Sequence, residues 1–520
     1  MLSTVHSISI NGLEAARVLI EVNVNKVTTP REPLFVMVGL PDNAVKESRT
    51  RVRSAMENSG YSVKGASDIA VNFAPADVKK EGSRYDLPLA LGIMLAHEML
   101  KVEQAEVERC LFLGELGLDG SLRPVRGILP AAILARKLGY DALFVPEENV
   151  REAAVVNQIA VYGAKSLKEV VNHLLGTTKI SPTVVDTRAE FYAAQTEFAY
   201  DFSEVKGQTV AKRAFEVAAA GGHNLLLVGS PGCGKSMMAK RLPSILPPLS
   251  LAESLETTQI HSVAGKLQRN DTLISTRPFR SPHHTISDVA LIGGGVSMQP
   301  GEVSLAHNGI LFLDEFPEYG KNALETLRQP LEDRQISISR AKYSVTLPCS
   351  VMLVAAMNPC PCGYYNDPTH DCTCRPGQVQ RYMSRISGPL LDRLDLQVEV
   401  VPVSVKELSA APDGEPSADI RARVVAARAR QTERFKDVAG VHCNAQMSAR
   451  HLQEMVHLDD SARSALNIAM DRLGLSARAY ERILKVSLTI ADLAAEDTIT
   501  ATHIAEAISY RNLDRSGWGE

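Results

Sequence analysis

The sequence is poor in several features that would mark a function at once. Its formal net charge is −4, it has one tryptophan, and aromatic residues make up 5% of the chain. No apolar run reaches the roughly 18 residues that a membrane-spanning helix needs, and the first residues lack the basic head and apolar core of a signal peptide. These absences argue against a polycation, an aromatic base-stacking surface, a membrane protein and a secreted protein. We expect a cytoplasmic protein without a membrane partner, whose contacts with nucleic acid come from local basic patches.

Cysteine is also scarce, and its placement is uneven. The chain has eight cysteines, and four of them lie between positions 360 and 374. This placement in a long chain does not fit a disulfide scaffold, whereas four thiolates in one short segment suit tetrahedral Zn²⁺. Because the C-x-C spacing is tighter than the usual C-x2-C, reduced cysteines in a loop are the alternative. The predicted zinc ligands are Cys360, Cys362, Cys372 and Cys374, with His370 as a spare ligand.

The pattern along the chain predicts an α/β protein of several domains, since 520 residues exceed a single core. Residues 1–175 mix strands and helices, and residues 176–200 lack periodicity, which suggests a linker. Residues 201–405 alternate apolar strands with helices, which predicts a parallel sheet, and a cysteine-rich insertion occupies 358–376. Residues 406–520 are predicted to form a helical lid.

A nucleotide-binding loop follows the apolar stretch 225–228. The next eight residues fit the pattern G-x-x-x-x-G-K-S in full, with a strand before them and a helix after them, as this motif requires. Its glycines let backbone N–H groups turn toward phosphate, its lysine reaches the outer phosphates, and its serine hydroxyl ligates Mg²⁺. The predicted nucleotide-binding residues are Gly229, Ser230, Pro231, Gly232, Cys233, Gly234, Lys235 and Ser236.

Two later strands supply residues that ATP hydrolysis needs. An apolar strand ends in Asp314 and Glu315, of which Asp314 would hold Mg²⁺ and Glu315 would orient the attacking water. Another buried strand ends in Asn358, which can position the same water near the γ-phosphate. Each pattern is weak alone, and an Asn-Pro pair by itself favours a turn. Their order after the phosphate loop predicts an ATPase.

Two arginines are candidates for contacts with the γ-phosphate. Arg393, in the stretch 387–395, suits a finger that reaches the nucleotide of a neighbouring subunit. Arg478 lies at the start of a predicted helix and could sense the γ-phosphate from there. A salt-bridged surface arginine and a solvated helix arginine are the respective alternatives.

A long signature separates the phosphate loop from Asp314 and includes Arg277, Arg280, His283 and His284. With the nucleotide motifs it resembles the magnesium-chelatase-like branch of the AAA+ ATPases, and residues 1–175 are similar to the YifB/ComM type, so the resemblance covers nearly the whole chain. It implies a hexameric ring that uses ATP and Mg²⁺ and, in that family, a DNA helicase that promotes branch migration during natural transformation. Because neighbours in an extended segment point to opposite faces, we expect His283 and His284 to be structural rather than joint metal ligands.

The N-terminal part resembles Lon-type proteases without their catalytic pair. The stretches 80–88 and 112–129 carry this similarity. Lon-type proteases need a lysine that deprotonates the serine, but the position expected to carry that lysine is Leu129, and Ser83 is left with no evident base. We interpret residues 1–175 as a non-catalytic Lon-protease-like domain that serves assembly or the DNA path.

Two basic segments are candidates for contacts with DNA. Alternating residues at 334–346 predict a β-hairpin with Arg340 and Lys342 at its tip, and in related ring ATPases such a hairpin enters the pore. A solvated tip is the alternative. Because the hairpin lies between Asp314 and Asn358 in sequence, we expect its strands to lie beside the catalytic strands. The arginines at 421–434 spread around a helix, which favours a solvated helix there.

Together these patterns predict an ATP-driven homo-hexameric ring that moves on single-stranded or branched DNA, with recombination proteins as candidate partners. Two alternatives stay open. One is a chelatase-type chaperone, in which ATP drives metal insertion into a partner-bound porphyrin, although a dedicated chelatase motor usually lacks the Lon-like domain. The other is an ATP-dependent protease, which Leu129 disfavours.

Overall fold

Two compact units divide the chain. Unit 1 comprises Met1–Ala193 and Leu251–Ile274, and unit 2 comprises Ala194–Ser250 and Ser275–Glu520. Each unit contains helices and strands, which confirms the predicted α/β class. The computed structural model describes residues 1–27, 33–63, 66–196, 198–267, 271–295, 298–340, 343–367, 370–403 and 414–511.

The regular elements follow one another in this order. The strands are β1 (Leu2–Asn11), β2 (Glu14–Lys26), β3 (Phe35–Val38), β4 (Ser67–Ala74), β5 (Cys110–Phe112), β6 (Glu115–Leu116), β7 (Leu122–Arg123), β8 (Ala142–Pro146), β9 (Ala160–Ala164), β10 (Leu225–Val228), β11 (Phe279–Arg280), β12 (Gly293–Gly294), β13 (Gln299–Pro300), β14 (Ile310–Leu313), β15 (Gln335–Arg340), β16 (Tyr343–Pro348), β17 (Met352–Met357) and β18 (Leu396–Glu399). The α-helices are α1 (Asn43–Asn58), α2 (Asp86–Ala96), α3 (Gln104–Glu108), α4 (Ile128–Lys137), α5 (Val150–Ala154), α6 (Leu167–Leu174), α7 (Thr187–Ala193), α8 (Thr209–Gly221), α9 (Lys235–Arg241), α10 (Leu251–Ala264), α11 (Asp288–Ile292), α12 (Glu302–Leu305), α13 (Lys321–Thr326), α14 (Arg328–Asp333), α15 (Gln378–Met383), α16 (Gly388–Leu391), α17 (Ser417–Arg434), α18 (Ala449–Met455), α19 (Asp460–Leu473), α20 (Ala477–Leu493) and α21 (Ala501–Ser509).

Unit 1 is built on a mixed sheet. Its strand order is β3-β4-β2-β1-β5-β8-β9, in which β1, β2 and β4 pair antiparallel and the remaining pairs are parallel. Alternate residues of β2 are buried, as expected for a strand with one face on the core.

Helix α2 is buried along its whole length, and its first residue, Asp86, accepts two hydrogen bonds from Arg51 at 2.9 and 3.1 Å. Burial raises the pKa of Asp86 to about 6, although Arg51 opposes this shift.

The segment 251–274 belongs to unit 1, although the sequence pattern places it inside the ATPase core. Helix α10 packs on α4, and Ser262 in α10 donates a hydrogen bond to the carboxylate of Glu152. The same carboxylate accepts a hydrogen bond from the backbone N–H of Leu129 at 2.9 Å. Burial raises the pKa of Glu152. Apolar and polar side chains are mixed around the whole circumference of α10. The periodicity of the sequence therefore could not show which unit packs against this helix.

Residues 187–193, within the stretch interpreted as a linker, form helix α7 of unit 1, in which Phe191 is buried. The burial of this aromatic side chain gives the segment a fixed place in the fold, because its removal from water stabilises the packed conformation.

A five-stranded parallel sheet, in the order β11-β14-β17-β10-β18, forms the centre of the described part of unit 2, which confirms the predicted parallel sheet. All residues of β10, β14 and β17 are buried. Continuous apolar strands are typical of parallel sheets with both faces covered. Helices α17–α21 form the C-terminal helical region that the sequence predicts.

The hairpin predicted at 334–346 is confirmed as β15 and β16, which pair antiparallel from Gln335↔Pro348 to Arg340↔Tyr343. These strands form a sheet of their own and are not hydrogen-bonded to the catalytic sheet. Ile336, near the hairpin base, is nevertheless buried with Leu313 and Leu353 of the catalytic strands. A second short hairpin, β12 and β13, was not foreseen from the sequence.

Among the described residues, no helix is both long enough and apolar enough to cross a membrane.

Candidate functional site

The phosphate loop lies at the carboxyl end of β10 and leads directly into α9. Gly232 and Gly234 have φ values of 81° and 97°, a left-handed region that residues with a Cβ rarely adopt. These conformations let the loop turn its backbone inward before α9 begins at Lys235. The loop therefore has the strand-turn-helix geometry in which backbone N–H groups and a helix N-terminus bind phosphate.

The side chain of Lys235 is buried within this loop. Its Nζ atom donates hydrogen bonds to the carbonyl oxygens of Gly229 at 2.6 Å and Ser230 at 3.0 Å. The same atom lies 3.3 Å from Oδ1 of Asn358, at the carboxyl end of the neighbouring strand β17. Lys235 and Asn358, which are 123 residues apart, thus lie together at the carboxyl edge of the sheet.

Ser236 and Asp314 also meet. The hydroxyl of Ser236 donates a hydrogen bond of 2.6 Å to Oδ2 of Asp314, at the carboxyl end of β14. A hydroxyl and a carboxylate are hard oxygen ligands of the kind that Mg²⁺ prefers beside a nucleotide. The residues therefore fit the ion: Ser236 and Asp314 would hold it, and it would supply positive charge to offset the negative charge that develops during phosphoryl transfer.

Glu315 follows Asp314 in a left-handed conformation, with φ 52°. Its backbone N–H donates to Oδ1 of Asp314 at 2.9 Å, and its Oε2 atom lies 2.8 Å from Nδ1 of His284. The expectation that His283 and His284 point to opposite faces is wrong, because their rings lie 4.1 Å apart. The two residues sit in a turn rather than in an extended strand, so the alternation of a strand does not apply.

Gln208 is a site residue that the sequence pattern did not reveal. It precedes α8 with φ 55°, and its side-chain amide donates to the carbonyl oxygens of Cys233 at 3.3 Å and Val401 at 2.7 Å. It thereby ties the phosphate loop to the end of β18. The available signal was Gly207-Gln208 just before a predicted helix, which is common in proteins and carries no chemistry by itself.

Arg393 and Arg478 lie apart from this group. Arg393 stands three residues before β18, at the amino edge of the sheet, where its carbonyl accepts a hydrogen bond from Asn224 at 2.9 Å. Its guanidinium donates to Pro389 O at 2.7 Å and forms an ion pair with Glu332. The phosphate loop is at the opposite edge, and strands of four residues separate the two edges by about 13 Å.

Arg478 lies at the start of α20 and is an exposed side chain. Its Nη1 atom is 3.3 Å from Oδ2 of Asp392, the residue before Arg393. The two arginines therefore lie together at one place in unit 2, and the structure brings neither of them to the phosphate loop of its own chain.

The four cysteines of the insertion converge. Their sulfur atoms lie within 4.8 Å of one another, with separations of 3.2 Å between Cys360 and Cys362 and 3.5 Å between Cys362 and Cys372. A tetrahedral zinc site with Zn–S distances of about 2.3 Å has sulfur–sulfur edges of roughly 3.8 Å. The cluster, completed by Cys374, thus has the ligand number and the approximate size of a zinc site, and the free thiols fit that group.

Sequence comparisons agree with this arrangement. Residues 201–408 match the family described as magnesium chelatase, subunit ChlI, residues 20–149 match subunit ChlI of Mg-chelatase, and residues 414–511 match the ChlI C-terminal family. The competence protein ComM of Haemophilus influenzae is 42% identical over 518 residues, which cover 99% of this chain and 98% of that protein. The YifB protein of Salmonella typhimurium is 43% identical over 519 residues, with the same coverage.

The chain belongs to the YifB/ComM family of magnesium-chelatase-like proteins. Membership indicates an AAA+ ATPase that uses ATP and Mg²⁺, in agreement with the site around Lys235 and Asp314. A shorter match is with the probable DNA helicase MCM9 of Arabidopsis thaliana, which is 27% identical over 176 residues, 34% of this chain and 22% of that protein.

The two hairpin residues that were predicted to contact DNA lie at the boundary of the described residues. Lys342 lies outside the described residues, and of Arg340 only the backbone is described, as the last residue of β15. The arginines of α17 make contacts within the fold, although the Arg423 side chain is still 43% exposed. Their partners are Glu216 and Glu415 for Arg423, backbone carbonyls for Arg421 and Arg428, and Asp492 for Arg430 and Arg434.

Ser83 in unit 1 has a carboxylate neighbour, since its hydroxyl donates a hydrogen bond to Glu115. Leu129 is fully buried. The nearby Lys80 is buried and donates to the carbonyl of Pro75. The contacts of Ser83 therefore differ from the serine–lysine pair that a Lon-type protease uses.

Proposed function

We propose that this protein is an ATP-driven homo-hexameric motor that moves on single-stranded or branched DNA and promotes branch migration. The observation that carries the proposal is the hairpin β15–β16, which the chain inserts between the strands that end at Asp314 and Asn358. A motor needs a part whose position changes with the nucleotide. The hairpin suits this role because, along the chain, it lies between the magnesium-binding strand and the strand that ends at the water-positioning asparagine.

The placement of the arginines supports an assembly of several subunits. Arg393 and Arg478 lie about one strand length from the phosphate loop of their own chain, yet phosphoryl transfer commonly needs an arginine at the γ-phosphate. A neighbouring copy can supply it if each subunit presents its amino-edge arginines to the next subunit's loop. Such a head-to-tail interface closes into a ring.

The basic composition of the hairpin tip supports contact with DNA. Arg340 and Lys342 lie two residues apart in the sequence, and we propose that repeated copies of the hairpin line a central opening with positive charge. Contacts of arginine and lysine with phosphates are independent of sequence, which suits a moving machine better than base recognition does. The names of the relatives, a competence protein and a probable DNA helicase, point the same way.

The test is DNA dependence of the ATPase. Purified protein is assayed for ATP hydrolysis without DNA, with single-stranded DNA and with a four-way junction, and the junction assay also follows strand exchange. We expect stimulation by both DNAs and conversion of the junction only with hydrolysable ATP. Hydrolysis that no DNA alters would contradict the proposal.

A chelatase-type chaperone is the second candidate, because three successive parts of the chain match magnesium chelatase subunit ChlI families. This candidate predicts an ATPase whose rate does not change with DNA and does change with a porphyrin-binding partner.

An ATP-dependent protease would degrade casein with ATP and lose that activity in Ser83→Ala. We expect no cleavage by the unaltered protein, since Ser83 faces Glu115.

We further propose that Cys360, Cys362, Cys372 and Cys374 bind one Zn²⁺ per chain, on the basis of the convergence of their sulfur atoms. Metal analysis of the protein purified under reducing conditions tests this, and Cys360→Ser with Cys362→Ser should remove the zinc. We also propose a cytoplasmic location, with recombination proteins as partners; co-purification from cells that take up DNA tests both.

A further inference from the structure

The cysteine-rich segment touches the phosphate loop at two points. The hydroxyl of Ser230 donates a hydrogen bond to the carboxylate of Asp367. Gly363 packs against Pro231 so closely that a Cβ atom on Gly363 would lie 2.7 Å from Cδ and 2.8 Å from Cγ of that proline. Gly363 also has φ +90°, so both its conformation and its surroundings require glycine.

The carboxylate of Asp367 is held in one place. Its side chain is 0% exposed, and its Oδ1 atom accepts a hydrogen bond of 3.0 Å from the backbone N–H of His370. The ring of His370 lies 3.5 Å from the same oxygen atom. A buried carboxylate with these contacts can fix the Ser230 side chain, because hydrogen bonds to charged groups are among the stronger ones.

Both contact points lie between the two halves of the cysteine cluster. Gly363 directly follows Cys362, and Asp367 lies five residues before Cys372. Closing such a loop costs conformational entropy, and a metal that joins the two ends makes the closed form persistent. A metal held by the four sulfur atoms would therefore limit the movement of the residues between them, which include Gly363 and Asp367.

We infer that zinc bound by the four cysteines holds Asp367 on Ser230, and that Asp367 is a positioning residue for the phosphate loop. The inference rests on the proposed zinc site and on ATP binding at the loop, and it is independent of the proposed DNA activity. Loss of the contact leaves Glu315 and Asp314 in place but lets the loop change shape. It therefore weakens the binding of ATP more than it slows the chemical step.

The first experiment compares Asp367→Ala, Asp367→Asn and Asp371→Ala in basal ATPase assays, with zinc measured in each. Asp371 is an exposed carboxylate on the same segment and serves as the matched control. We expect KM for ATP to rise about tenfold in Asp367→Ala, the effect of losing one hydrogen bond to a charged group, with kcat little changed. Asp367→Asn keeps one oxygen acceptor but loses the charge and the second oxygen, so its KM should rise less than that of Asp367→Ala. Asp371→Ala should stay near the unaltered protein. All three should retain zinc.

The second experiment removes the metal. Chelator-treated protein and Cys372→Ser with Cys374→Ser are titrated with a fluorescent ATP analogue, a readout that needs neither hydrolysis nor DNA. We expect loss of zinc and a weakening of analogue binding similar to that of Asp367→Ala. Adding the Asp367→Ala change to the cysteine variant should have little further effect, since both act through one contact.

Three results would overturn the inference. Asp367→Ala with normal KM and normal analogue binding would remove the positioning role. Zinc-free protein with normal analogue binding would remove the link between metal and loop. Absence of zinc from the protein purified under reducing conditions would refute the proposed zinc site, on which the inference rests. A protein that binds ATP as described but ignores DNA would contradict only the proposed motor function.

Discussion

The Nδ1 atom of His284 lies 2.8 Å from Oε2 of Glu315, the residue assigned to the attacking water. His284 is set in place by its neighbours, since its ring packs on His283 and lies edge-on to Tyr319, whose hydroxyl donates to Pro282 O at 2.6 Å. This contact engages Oε2 of Glu315 and holds the carboxylate toward His284. We therefore expect the pair to restrain hydrolysis until a conformational change separates the two side chains.

His284→Ala should release Glu315. Because a partly exposed pair of this kind is worth up to about 1 kcal/mol, we expect basal ATP hydrolysis to rise roughly two- to fivefold while stimulation by DNA shrinks. His283→Ala removes the ring that packs on His284 but leaves the imidazole that contacts Glu315, so its effect on both rates should be smaller than that of His284→Ala. A basal rate in His284→Ala that stays level or falls would mean that the histidine orients Glu315 for catalysis.

Changes at the phosphate site should separate binding from hydrolysis. Lys235→Ala should abolish nucleotide binding, since no other group can replace the ammonium at the outer phosphates. Glu315→Gln should keep binding but lower kcat by about a hundredfold or more, the usual contribution of a general base. Lys240→Ala, an exposed lysine on the same helix, is the control for lost charge. Hydrolysis by Glu315→Gln at the normal rate would refute the assigned role.

Mixed assemblies should show that Arg393 acts between subunits. Arg393→Ala alone should lower kcat by about a hundredfold or more. Mixing Arg393→Ala chains with Lys235→Ala chains should restore activity, because about one interface in four then combines an intact loop with an intact arginine. An arginine that served its own chain would give no recovery. Arg478→Ala should behave in the same way, because Arg478 and Arg393 flank Asp392.

Arg340→Ala with Lys342→Ala should weaken DNA binding while basal hydrolysis and assembly stay near normal. The slope of log affinity against log salt should become shallower by roughly 0.7 per lost phosphate contact, and junction conversion should disappear. The charge-matched control is Arg136→Ala with Lys137→Ala in the last turn of α4. Unchanged DNA-dependent activity would place the DNA contact outside the hairpin, with unit 1 as the next surface to test.

Asp395 should make unit 2 sensitive to acid. Burial alone would raise the pKa of Asp395, but contacts from His223 and Arg482 outweigh burial and hold that pKa well below its usual range. A lowered pKa stabilises the fold at any pH above the unfolded value of about 3.9, and this stabilisation is lost as the pH falls through the lower folded value. Asp395→Asn should cost about 3 kcal/mol at pH 7. In thermal unfolding, the difference from the unaltered protein should shrink below about pH 4, whereas Asp371→Asn should show no such trend.

Much of the nucleotide site could be predicted from the sequence because three of its segments directly follow the ends of strands. The apolar runs that lead to Gly229, Asp314 and Asn358 predict parallel strands, and adjacent parallel strands present their carboxyl ends at one edge. This rule brings Lys235 close to Asn358, whereas Asp314 lies one strand further away and is reached by Ser236 in the first turn of α9. Alternation likewise predicted the hairpin, because a period of two is a local property of the chain.

Only the tertiary structure decided which residues far apart in sequence meet without such a rule. The pairs His284–Glu315 and Asp367–Ser230 join loops whose paths depend on side-chain packing, and no periodicity encodes them. The position of Arg393 at the amino edge follows from the register of β18 on β10, which a motif does not contain. Helix α10 belongs to unit 1, where it packs on α4 and Ser262 donates a hydrogen bond to Glu152, whereas the local pattern specified only a helix. Local sequence therefore fixed the elements and the residues at strand ends, and the packing of distant segments fixed the partners that position them.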